Sequence, residues 1–193
     1  MDHPKVLLAS ASPRRKELLS LIFEEYQVIP SKFDESTVPP DLKPKDHVLY
    51  SSLMKAKDIA KNNPDALVIG ADTIVVVDDQ ILGKPKDNAD AARMLRSLSG
   101  KPHKVITGLA LILGNVERSA FACTEVNFRK LSDQIISRYI STGEPMDKAG
   151  AYAIQGRGSV LIQSINGCYF NVVGLPINRL SIMLEEFGIE PLC

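Results

Sequence analysis

An α/β fold on a mixed sheet is what this sequence predicts, from three observations. Apolar runs of strand length alternate with segments whose apolar residues recur at helical spacing. Asn166-Gly167 stands between two such runs, the local cue for an antiparallel hairpin, so the sheet is not purely parallel. No repeat and no low-complexity linker interrupts the 193 residues, which reads as one domain over 1–193.

In chain order, Lys5 to Ser10 is a buried strand. Ser12 then caps a helix with Pro13 at its first position, where a missing N–H costs nothing. Tyr26 to Pro30 is a second strand, and 31–44 is a long loop rich in Pro, Asp and Ser. A helix over Asp46 to Asn62 takes its apolar period from Leu49, Leu53, Ala56 and Ile59. Ala66 to Val77 is almost wholly apolar, broken only by Gly70-Ala71-Asp72-Thr73. Asp87 caps a helix that Gly100 ends. Val105 to Leu113 and Arg118 to Phe128 are strands around Gly114-Asn115. Ser132 caps the next helix and Gly143 closes it. Ser159 to Ile165 and Cys168 to Val173 form the Asn166-Gly167 hairpin, and a last helix runs from Pro176 to Gly188.

Charge and composition remove several classes. Lys plus Arg equals Asp plus Glu, 23 each, which argues against a general nucleic-acid binder. The run Val6-Leu7-Leu8-Ala9 is too short for an export signal, and nothing approaches the roughly 20 apolar residues of a membrane helix. Cys123, Cys168 and Cys193 have no pairing or metal spacing, so reduced thiols in a soluble, cytoplasmic protein are expected. His3, His47 and His103 sit in no zinc or nucleophile pattern. The Gly-Lys pairs at 83–84 and 100–101 lack the rest of a P-loop.

Four segments could carry chemistry. Ser10-Ala11-Ser12-Pro13-Arg14-Arg15 leaves a strand and opens a helix. Two arginines there oppose the helix dipole unless an anion such as a polyphosphate is bound; the alternative is a solvated basic patch. Asp72, between Val68-Ile69 and Ile74-Val75-Val76, is desolvated, which suits a metal ligand or general base, or else a turn aspartate held by local N–H groups. Glu35 pairs with Asp72 as a second Mg²⁺ carboxylate. Lys55 lies on a partly apolar helix flank, and Lys84 stands beside Pro85; each lysine alone also reads as a surface residue. Finally, Glu144 to Gly158 is glycine-rich, with Gln155 offering both an amide donor and an acceptor to a base edge; the alternative is a connecting loop with an Asp147–Lys148 pair.

Together the ordered motifs resemble the Maf family of nucleotide pyrophosphatases. They are Leu8-Ala9-Ser10-x-Ser12-Pro13-Arg14-Arg15, Gly70-Ala71-Asp72-Thr73-Ile74-Val75, Lys84-Pro85-x-Asp87, Leu98-Ser99-Gly100, Glu144-Pro145-Met146-Asp147-Lys148-Ala149-Gly150-Ala151-Tyr152, Ile154-Gln155-Gly156 and Gly174-Leu175-Pro176. Ala153 departs from the usual glycine. The resemblance implies an elongated mixed α/β fold of two lobes around a cleft, often dimeric. It also implies hydrolysis of a nucleoside triphosphate to monophosphate and pyrophosphate with Mg²⁺ or Mn²⁺. On that analogy Asp72 takes the proton of the attacking water and Glu35 helps to hold metal. Ser10, Arg14, Lys55 and Lys84 bind phosphates, and Arg15, Thr73 and Gln155 match the subgroup acting on dTTP and UTP. A regulatory nucleotide-binding protein linked to cell division and a nucleotidyltransferase are the competing expectations; product analysis separates the latter.

Overall fold

The computed structural model describes residues 4–190, so His3 and Cys193 lie outside the described residues. Its seven strands are β1 (Val6–Leu8), β2 (Gln27–Val28), β3 (Leu67–Val77), β4 (Gln80–Leu82), β5 (Pro102–Leu113), β6 (Val116–Phe128) and β7 (Ile162–Asn166). The helices are α1 (Pro13–Leu19), α2 (Pro44–Ala60), α3 (Asn88–Leu98), α4 (Asp133–Ile140), α5 (Tyr169–Val173) and α6 (Ile177–Glu185). The sheet runs β2-β1-β3-β5-β6-β7, with β4 paired to β3. β1 is parallel to both β2 and β3, whereas β3–β4 and β6–β7 are antiparallel, so the sheet is mixed as expected.

The chain divides into two compact units. One takes the chain up to Asp72, Thr107–Ala122 and the chain from Gly174; the other takes Thr73–Ile106 and Cys123–Val173. In the first, Leu7, Ala9, Val68, Ala110 and Ile112 meet Ala56 and Ile59 of α2. Strand alternation puts these residues on one face of β1, β3 and β5. In the second, Leu95 and Leu98 of α3, Ile136 and Ile140 of α4, and Val75, Val105 and Val126 of the strands share a core.

Most predicted ends are capped as the sequence suggests. Asp87 accepts the Asp90 N–H at 2.8 Å, and Ser132 Oγ accepts the Ile135 N–H at 3.3 Å. Ser12 holds the cap position of α1 but makes no side-chain capping bond. β4, which the sequence reading lacks, follows a two-residue turn in which Asp78 and Asp79 both have positive φ, 48° and 60°. That is the backbone of a tight hairpin turn.

The hairpin expected at Asn166-Gly167 does not form. Residues 156–161 are 3₁₀ helix, β7 pairs with β6 through Val126 and Ile165, and 169–173 is helical. Thr124 on β6 explains the difference. Its Oγ1 accepts the Cys168 N–H and donates to the Cys168 carbonyl, both at 3.0 Å. The buried Asn171 amide donates to the Val105 carbonyl and to Thr124 Oγ1, both at 2.9 Å. These bonds turn the chain away from a second strand. Cys123 and Cys168 are free thiols. Among the described residues no helix is long and apolar enough to cross a membrane.

Candidate functional site

Asp72 stands in the middle of an uninterrupted strand, not in a turn. It shares the β3 face of Val68 and Gly70, which α2 covers. Gly70 lets that helix lie directly on the strand: an added Cβ would stand 2.2 Å from the Ser52 carbonyl oxygen and 2.9 Å from the Ala56 nitrogen. Gly108 of β5 does the same one turn earlier, its Cβ position being 2.2 Å from the Val48 carbonyl oxygen. The face of α2 pressed against the sheet is therefore Val48, Ser51, Ser52, Lys55, Ala56 and Ile59. Two serines and a lysine belong to it because small side chains fit a close backbone approach and the lysine has a partner.

That partner is Asp72. Lys55 Nζ lies 2.6 Å from Asp72 Oδ1 and 2.6 Å from Glu35 Oε1. Lys55 is 9 % and Asp72 7 % exposed, so neither charge would be tolerated there without the other. Removing one member of such a buried pair costs about 3–5 kcal/mol, because the remaining charge is left uncompensated. Asp72 Oδ2 has no hydrogen-bond partner among the described residues.

Glu35 is exposed and is brought to Lys55 by its loop, in the 3₁₀ turn Glu35–Thr37. The loop is tied down at its start by Asp58 of α2, which accepts from Ser31 Oγ at 3.0 Å and the Lys32 N–H at 2.8 Å. Hydrogen bonds from Lys61 and then Lys32 lower the Asp58 pKa to about 2. Asp34 Oδ1 accepts the Ser36 N–H at 2.9 Å, and Phe33 meets Tyr50 of α2 edge to face.

Arg15 is a brace. Its Nε donates to the Gly174 carbonyl at 2.9 Å; Nη1 donates to the Ala71 carbonyl at 2.9 Å and to Ser10 Oγ at 3.2 Å. The bidentate fork that the sequence suggested for this arginine is thus engaged with the protein at Nε and Nη1. Burial pulls its pKa down, and Asp72 and Glu35 oppose that pull; the guanidinium stays charged. Ser10 Oγ also accepts the Ser12 N–H at 3.3 Å, so both its lone pairs are used and its proton remains to donate. Arg14 follows Pro13 in the first turn of α1 and is half-buried.

The remaining candidates belong to the second unit. Thr73 is half-buried and, one residue after Asp72, points to the opposite strand face. Lys84 is exposed between β4 and α3, beside buried Pro85. Gln155 is half-buried and precedes the 3₁₀ helix of 156–161; its side-chain amide has no hydrogen-bond partner among the described residues. The Asp147–Lys148 pair is formed, and Lys148 Nζ also donates to the Glu144 carbonyl at 2.7 Å. No local sequence signal marks Gly108 or Asp58 for these supporting roles. The sequence signal for Gly174 is its place in Gly174-Leu175-Pro176.

Glu35 and Asp72 carry oxygen donors of the kind a hard divalent cation takes, and here their Oε1 and Oδ1 meet at the Lys55 ammonium. Two carboxylate oxygens that share one ammonium lie no farther apart than twice 2.6 Å. Mg²⁺ commonly takes one or two carboxylates and completes its shell with water and phosphate oxygens. Among the described residues no group of three or more His, Cys, Asp or Glu could hold a metal ion, so the protein side of such a shell is sparse.

The Maf-like protein family matches residues 5–187. A Clostridium botulinum (strain Okra / Type B1) protein named dTTP/UTP pyrophosphatase is 49 % identical over 190 residues, covering 96 % of this chain and 98 % of the relative. A Bacillus pumilus protein of the same name is 49 % identical over 187 residues, covering 97 % and 98 %. Among solved structures, a HAM1 protein from Coxiella burnetii has a TM-score of 0.53 at 14 % identity, covering 95 % of this chain and 100 % of that one. That last likeness is one of fold. With the family match spanning nearly every described residue, the chain belongs to the Maf-like protein family.

Proposed function

We propose that this protein hydrolyses nucleoside triphosphates, with dTTP and UTP preferred, to the nucleoside monophosphate and pyrophosphate. The observation that carries the reading is the buried Asp72 carboxylate, held by Lys55 beside Glu35 with Oδ2 unengaged. The names of the relatives supply the reaction and the bases.

In this reading a water oxygen attacks the α-phosphorus, the bond to the bridging oxygen breaks, and pyrophosphate leaves. Asp72 takes the proton the water loses. Such a step needs positioning and charge neutralisation more than covalent chemistry. Lys55, Arg14 and Lys84 supply positive charge to the phosphates, and Ser10 donates its remaining hydroxyl proton. Arg15 holds Ser10, β3 and the 174 turn in register while adding its own charge. A divalent metal, Mg²⁺ or Mn²⁺, held by Glu35 and Asp72 would neutralise developing charge on the phosphate oxygens. Thr73 and Gln155 serve base selection. The full chain is the functional domain, cytoplasmic and homodimeric, with neither nucleic acid nor membrane as partner. A regulatory binder without turnover would have no use for a proton acceptor at Asp72.

The test follows pyrophosphate and orthophosphate separately over a panel of ribo- and deoxynucleoside triphosphates with Mg²⁺ or Mn²⁺. Pyrophosphate should appear fastest with dTTP and UTP. Asp72→Asn should lower kcat by about 10³-fold in folded protein. Orthophosphate as the first product, or unchanged turnover in the variant, overturns the proposal.

A further inference from the structure

We infer that Glu144 is a positioning residue for nucleotide selectivity, acting through the loop that carries Gln155; the inference rests on the function proposed above. Glu144 begins the 3₁₀ turn after α4 and sends its carboxylate back under residues 153–158. Oε1 accepts the Tyr139 hydroxyl and the Gly158 N–H, both at 2.9 Å, and Oε2 accepts the Arg157 N–H at 2.9 Å. The Tyr139 hydroxyl in turn accepts the Ala153 N–H at 3.1 Å. One carboxylate and one phenol therefore fix the backbone on both sides of Gln155, while the Gln155 amide makes no hydrogen bond among the described residues. A loop clamped at its main chain, with its one amide side chain unengaged, is built to present that amide to a ligand.

The residue next to Gln155 shows how tight the clamp is. Gly156 has φ of 68°, and a Cβ there would stand 2.7 Å from Glu144 Oε2. Any other residue would be strained in its backbone and would displace the carboxylate.

The clamp needs a carboxylate. All three groups it receives are donors, and an ionised carboxylate is acceptor only. The Glu144→Gln amide would turn its NH₂ either towards the Arg157 N–H or towards the Gly158 N–H. In each orientation one donor faces another, so the loop must shift. Glu144→Asp keeps the charge and loses one methylene.

The test measures kcat and KM for dTTP, UTP, dCTP and dATP in wild type, Glu144→Gln, Glu144→Asp, Gln155→Ala and the Glu144→Gln/Gln155→Ala double variant, each checked by thermal melting. Glu144→Gln should reduce the preference for dTTP over dATP by about tenfold, mainly through KM for dTTP, while kcat with dATP stays within about twofold. Glu144→Asp should recover part of the preference. The double variant should lose no more selectivity than Gln155→Ala alone, because the two residues act in series. If Glu144→Gln does not fold, Tyr139→Phe, which releases the Ala153 N–H and takes one of the two donors from Glu144 Oε1 but leaves its bonds to Arg157 and Gly158, should give the same selectivity loss in smaller measure. Equal losses on every nucleotide, or additive losses in the double variant, overturn the inference while the proposed function stands. No pyrophosphate from the wild type with any nucleotide removes both.

Discussion

Replacing Gly70 with alanine puts a methyl 2.2 Å from the Ser52 carbonyl oxygen, where an ordinary carbon contact needs about 3.5 Å. The obstructing atom is main chain, so no rotamer change on α2 relieves it, and the helix must retreat from β3 by about 1 Å. Overpacking of this kind costs about 1–3 kcal/mol. For a protein of this size each kcal/mol lowers Tm by about 2–4 °C, so a fall of about 4–8 °C is the central expectation. The same retreat draws Lys55 from Asp72, now 2.6 Å apart. Displacements of about 1 Å in a catalytic constellation can reduce turnover about 10²-fold. The assay is calorimetric melting alongside kcat/KM with dTTP. Adding Ala56→Gly should not restore either quantity, since it removes only the more distant Ala56 Cβ contact at 3.0 Å. A Gly70→Ala protein with wild-type Tm and wild-type turnover would refute the account of how α2 reaches the strand.

Other outcomes follow from the same geometry. Lys55→Met should destabilise the fold by about 3–5 kcal/mol near neutral pH, read by urea unfolding, because it strands Asp72 as an unpaired buried carboxylate. Chelation with EDTA should stop pyrophosphate release, and added Mn²⁺ should restore it. Asp58→Ala should speed proteolysis within 31–44, since it frees Ser31 and Lys32, and should raise the Mn²⁺ concentration needed for half-maximal turnover. His103 is 3 % exposed, and burial lowers its pKa from 6.5 to about 4. Between those values the unfolded chain binds a proton that the folded protein refuses. Stability is thus fully present above pH 6.5 and declines as the pH falls through about 4, by on the order of 3 kcal/mol from this group. Urea midpoints between pH 4 and 7 should show that slope, and His103→Phe should flatten it.

What the sequence disclosed depended on how locally each feature is encoded. Asp72 stood out because one carboxylate interrupts an eleven-residue apolar strand. Asp87 and Ser132 were legible as caps because their partners lie three residues away. The buried face of α2 was harder, since Ser51, Ser52 and Lys55 read as polar until Gly70 and Gly108 are known to press against it. The partly apolar flank on which Lys55 lies is the side of α2 that is buried. Asn166-Gly167 misled because a turn cue three or four residues long was overridden by Thr124, more than forty residues distant, and by Asn171 reaching Val105. The bonds from Arg15 to Ala71 and Gly174 were not legible, because their acceptors are main-chain carbonyls, which no side-chain pattern reveals.

The Arg15 bond to Gly174 spans 159 positions of sequence, and that separation bears on how the protein is made. The unit containing Asp72 is assembled from three stretches of chain, the last starting at Gly174. During synthesis, Ser10, Lys55 and Asp72 emerge long before the carbonyl that completes the Arg15 brace. Contacts so distant in sequence form late and slow the overall rate. Nascent chains halted before Gly174 should therefore hold α2 and β3 without a finished Ser10–Arg15 corner, and Arg15 should complete its bonds only once Gly174 has left the ribosome.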